Sequence, residues 1–182
     1  PCVQTWALPL YPPDAMKQPN IGSALYYQPG YALQLLRNNI LGPQRFDYAF
    51  REYIKRWAYK HPTPWDFFRT MDNAAGESLS WFWREWFVEN YRLDQGITDV
   101  TYDETKGTTV TIENLDKIAM PVIIAYETKS GTKGRMNLPV EIWNNTGSFK
   151  VKLPVNEAMK NIILDPERVF PDLNYGNNKW SN

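Results

Sequence analysis

A single histidine and a single cysteine limit the chemistry open to this chain of 182 residues. A zinc site takes three or four ligands from His, Cys and carboxylate side chains. His61 and Cys2 supply too few of the first two kinds, and no HExxH occurs. A Ser-His-Asp arrangement would have to use His61. That residue lies in Lys60-His61-Pro62-Thr63, a link between helical segments, and reads as a solvated loop histidine. Asp99, Asp103 and Glu104 gather near a hairpin, and Asp165 and Glu167 near the end. Scattered acids of this kind read as surface solvation rather than a general acid–base pair. No glycine-rich phosphate loop is present, and the sequon Asn144-Asn145-Thr146 reads as a turn.

The aromatic run Trp81-Phe82-Trp83-Arg84-Glu85-Trp86-Phe87 carries two readings. Its i, i+3, i+4 spacing is what burial on two sides of a helix needs. Its exposed alternative is a platform of Trp81, Trp83 and Trp86 for a peptide or carbohydrate, which would make the chain a non-enzymatic binding module.

Bulk composition removes other classes. Lys plus Arg and Asp plus Glu are equal at 20 each, so there is no electrostatic case for nucleic acid or an anionic membrane surface. No apolar run approaches the roughly 20 residues of a membrane span. With 8 Trp, 11 Tyr and 8 Phe, the chain can build a sizeable aromatic core. It begins Pro1-Cys2-Val3, without an initiator Met or a charged-then-apolar leader, and so reads as a processed or excised piece.

The elements change character midway. Residues 1–22, with Pro9, Pro12, Pro13 and Pro19, read as an extended entry segment whose Trp6, Leu8, Leu10 and Tyr11 lie on a surface. Four helices follow. The first starts near Tyr27, with Pro29 in its opening turn, and stops at Gly42. The second starts at Pro43, with the stripe Phe46, Phe50, Tyr53, Ile54 and Trp57. The third has Thr63, Pro64 and Asp66 as a capping-box start and ends before Gly76; the fourth runs from about Ser78 to Glu89. After Asp94 the period becomes two, in strands around Val100, Val110, residues 122–128, residues 135–143, Phe149 to Leu153 and Ile162 to Leu164. The fold class expected is α+β: a four-helix all-α N-terminal segment over 1–93, then a small antiparallel β-sandwich over 94–182.

One ordered set of motifs is more specific. Tyr27-Gln28-Pro29-Gly30 leads through Leu33 to Arg37, then Leu41-Gly42-Pro43, Thr63 with Asp66 and Phe67, and Gly76 with Leu79, Phe82 and Trp86. This stretch, about Tyr26 to Val100, resembles the region after the zinc site in the M1 family of metallopeptidases, the gluzincin aminopeptidases. The β-rich part is similar in position to the sandwich that follows the catalytic domain there, and the ending from Leu164 to Trp180 is similar to the close of bacterial members. The resemblance implies a parent hydrolase that cuts a peptide substrate with zinc-activated water. It implies that Tyr27, the tyrosine of Tyr-x-x-Gly, hydrogen-bonds the developing oxyanion, with Tyr26 as the register-shifted alternative. Pro29 departs from the lysine often found before the glycine. The HExxH and the glutamate ligand would lie in the remainder of the same polypeptide, so zinc is expected in the full-length parent and none in this chain. A periplasmic or exported parent is compatible with the family, although no residue marks a compartment.

Metal analysis of the isolated chain should therefore find no stoichiometric zinc, and peptidase assays no turnover. A tightly held zinc in every chain would contradict this reading.

Overall fold

Thr63 and Asp66 show most directly how this sequence directs its helices. The Thr63 hydroxyl accepts from the Asp66 amide at 3.3 Å, and the Asp66 carboxylate accepts from the Thr63 amide at 2.9 Å. That reciprocal capping box, followed by Pro64, starts a helix whose far end is closed by Gly76 in the left-handed conformation, φ +79°. The computed structural model describes residues 23–89 and 91–182, which fall into two compact units divided in sequence between 90 and 91. The expected entry segment, residues 1–22, lies outside the described residues.

Among its described residues the first unit contains four α-helices: α1 (Gln28–Leu35), α2 (Pro43–Trp57), α3 (Pro64–Ala75) and α4 (Ser80–Trp83). Three wider π-helical turns, Ser23–Tyr27, Leu36–Leu41 and Arg84–Val88, adjoin them. Among the described residues the backbone is already helical at Ser23, earlier than the sequence pattern placed it. Pro29 has no N–H to give the Leu25 carbonyl and its ring would press on that group, so the turn just before it widens. Gly42, at φ +80° and ψ +153°, takes a conformation that side chains avoid and turns the chain into α2. Within α2, Phe46 and Ala49 are buried. Ile54 is 51% exposed, a correction to the apolar stripe expected there.

Among its described residues the second unit is β apart from one turn of 3-10 helix. Its strands are β1 (Gln95–Asp103), β2 (Gly107–Asn114), β3 (Val122–Thr128), β4 (Lys133–Leu138), β5 (Ser148–Lys152), β6 (Met159–Leu164) and β7 (Lys179–Ser181). They form two antiparallel sheets, ordered β1-β2-β5 and β4-β3-β6-β7. Inward residues of both sheets share one core, with Val110, Ile112 and Val151 from the first and Ile124, Ile162 and Leu164 from the second. The protein is thus α+β, helices first and a small antiparallel sandwich second. The strand expected over 135–143 ends at Leu138. Pro139 cannot donate to a ladder, and Val140–Trp143 forms the 3-10 turn instead.

Two buried carboxylates hold the loop after β6. Asp165 accepts from the Val169 and Phe170 amides at 2.9 and 2.7 Å, and Asp172 from the Gln95 and Asn174 amides at 2.9 and 2.8 Å. Burial pushes both carboxyls above the usual range, against the lowering effect of those amides. A carboxyl that titrates higher in the folded state contributes stability that is complete below its unfolded value, about 3.9, and is lost as pH rises through the folded one. In urea unfolding, the wild type should gain stability relative to Asp172→Asn as pH is lowered from about 7 to about 4, and a gap that is constant with pH would contradict this.

Candidate functional site

Tyr27 stands on the outer side of a helix whose inner side is fixed. Gln28, Ala32 and Leu35 recur at i, i+4 and i+7, with Ala32 and Leu35 buried and Gln28 half-buried. Tyr27 precedes that stripe by one residue, about 100° around the axis. It is therefore 79% exposed, and its hydroxyl has no hydrogen-bond partner among the described residues. Tyr26 is equally open at 75%, on the same π turn. Among the described residues, both phenols are open to solvent.

Several polar contacts fix the helix that carries them. The Arg37 guanidinium binds the Asp47 carboxylate in two-pronged fashion at 2.7 and 2.9 Å, tying the turn after α1 to α2. It also holds the Asp47 carboxyl below the usual range. Arg45 reaches from α2 to the Ala75 carbonyl at the end of α3 and to Glu77, at 2.7 and 2.8 Å. The Gln28 amide donates to the Trp86 carbonyl at 3.4 Å, across 58 positions of sequence.

The tryptophan platform does not survive as drawn. Trp83 is 3% exposed, stacks on Phe68 with centroids 4.6 Å apart, and gives its indole N–H to Asp72 at 2.7 Å. Trp86 is 2% exposed and packs on Phe82. Only Trp81 of the three is half-buried. These rings are core, as their spacing favoured. An apolar cleft of about 390 Å³ does open beside them, lined by Trp65, Phe68, Trp83 and Val88 and edged by Arg69 and Arg84.

The remaining polar residues separate cleanly. His61 is exposed in the α2–α3 link. Asp103 caps a turn through the Thr105 and Lys106 amides, both at 2.8 Å, and the Thr105 hydroxyl bond chiefly lowers its carboxyl pKa. Asp99, Glu104 and Glu167 are exposed, whereas Asp165 is the buried acid described above. Thr146 bonds Ser148 twice, making the sequon a turn. Among the described residues, no three His, Cys, Asp or Glu side chains group so as to hold a metal ion, and no helix is long and apolar enough to cross a membrane. Sequence reasoning missed Asp72, Asp172 and the contact made by Gln28. An acid in the last turn of a helix, eleven positions before a tryptophan, carries no local signal of that bond.

No family model matches the sequence, and no curated protein matches it. By fold, the chain is similar to part of a solved structure, Legionella pneumophila aminopeptidase A in complex with aspartic acid. The TM-score is 0.59 at 15% identity, over 82% of this chain and 17% of that one. At this identity the likeness is one of fold, and it reaches only a small share of that aminopeptidase's length.

The packing makes a direct claim on stability. Trp83→Ala should lower the free energy of unfolding in urea by about 3–5 kcal/mol. Trp65→Ala, on the open rim of the cleft, should cost less than about 1 kcal/mol, and equal losses would contradict the assignment of Trp83 to the core.

Proposed function

We propose that this chain is the C-terminal part of the catalytic domain, with the β-sandwich that follows it, of an M1-like zinc aminopeptidase. One coincidence carries the reading. The chain shares its fold with part of an aminopeptidase, and the tyrosine of its Tyr-x-x-Gly motif stands open to solvent on a helix fixed from behind. The described residues do not themselves gather a zinc site. In the proposed enzyme the zinc ligands belong to the remainder of the polypeptide, and the metal there supplies activated water for attack on the peptide bond.

What this chain contributes is a preorganised donor. As water adds to a peptide carbonyl, negative charge grows on the carbonyl oxygen. A phenol O–H held in place can donate to that oxygen, and it lowers the barrier only to the extent that it binds the developing charge more strongly than the neutral carbonyl. A side chain already satisfied inside its own unit could not do this. Tyr27 has no internal partner among the described residues.

In the longer enzyme, Tyr27→Phe should lower kcat by roughly 100-fold, the scale for losing one oxyanion donor, with a much smaller change in KM. Phenylalanine fits the exposed position, so folding is unaffected. An unchanged kcat would overturn the assignment.

A further inference from the structure

We infer that Gln28 is a positioning residue for Tyr27, setting the direction of its phenol by tethering the turn to the end of the fourth helix. The inference rests on the reading of Tyr27 as the oxyanion donor. Its own support is geometric. Pro29 cannot donate to the Leu25 carbonyl, and Ser23–Tyr27 forms a π turn, whose wider i→i+5 bonds replace the tighter i→i+4 ladder. A catalytic phenol on such a turn needs another restraint. Gln28, the next residue, is half-buried on the inward stripe of α1, and its amide donates to the Trp86 carbonyl at 3.4 Å.

The acceptor is well placed for this task. Trp86 lies in the last helical turn of Arg84–Val88, where carbonyls look outside the helix for donors. Its ring is buried in the aromatic core against Phe82, which holds the residue in place. The bond therefore runs from the residue beside Tyr27 to a fixed anchor 58 positions away. It also explains a polar residue on an otherwise apolar stripe. A leucine there would bury as well as Ala32 and Leu35 do, but could not fix rotation about the helix axis.

The test is Gln28→Met, which keeps length and volume but removes the donor, made in the longer enzyme alone and with Tyr27→Phe. Misplacing a reacting group by a fraction of an ångström should lower kcat roughly tenfold while KM holds. In the Tyr27→Phe background the same change should have no further effect, because nothing is left to position. A second readout needs neither metal nor turnover. In zinc-free protein labelled with fluorotyrosine, the resonance lost in Tyr27→Phe should move in Gln28→Met. Multiplicative losses, a change in KM alone, or an unmoved resonance would overturn the role of Gln28 while leaving Tyr27 as the donor. An unchanged kcat in Tyr27→Phe would remove both.

Discussion

The helical unit depends on the hydrogen bond between the Trp83 indole and Asp72, made inside a stack of aromatic rings. Trp83 is too large to be left outside the core and too polar to enter it without an acceptor. Asp72, one turn before the end of α3, supplies that acceptor at 2.7 Å and so fixes where the fourth helix crosses the third. Phe68 then stacks on one face of Trp83, and Phe82 and Phe87 meet it edge-on or tilted. The other helices refer to this pair: α2 through Arg45 at the end of α3, and α1 through Gln28 at Trp86. Tyr27 is exposed because it lies off the inward stripe of Gln28, Ala32 and Leu35.

The β unit solves a different problem with the same chemistry. Its loop after β6 is long and irregular, and irregular backbone must find partners for its amides. Asp165 and Asp172 provide them, each carboxylate taking two N–H groups. Asp172 also grips the amide of Gln95, the first residue of β1, so the loop closes the edge where the sandwich begins. Desolvating these acids costs stability near neutral pH. Structure gained in the loop offsets that cost.

Much of this was legible from residue order alone. The capping box at Thr63 and Asp66 and the stop at Gly76 follow from local rules, because each involves residues within a turn or two of one another. The two-residue period after Asp94 likewise announced paired strands. What escaped was set at long range or by competing local effects. The π turn at Ser23–Tyr27 comes from Pro29 acting backward on a segment that otherwise looks helical. The short strand Lys179–Ser181 has too few residues to show a period, and is held by pairing with β6. The roles of Asp72, Asp172 and Gln28 depend on partners 11, 77 and 58 positions distant, and an acid or amide with such a partner looks in sequence like one facing water. The open position of Tyr27 needed the structure, although the motif had already singled the residue out.

The central claim is that Tyr27 favours a transition state over a bound substrate, and inhibitors separate those directly. A phosphinic peptide carries its charged oxygens in tetrahedral geometry, whereas an uncleaved peptide analogue of the same sequence keeps a planar carbonyl. Measured by calorimetry on the longer enzyme, Tyr27→Phe should weaken the phosphinic peptide by roughly 100-fold and leave the planar analogue within about threefold. Equal weakening of both, or of neither, would contradict the account.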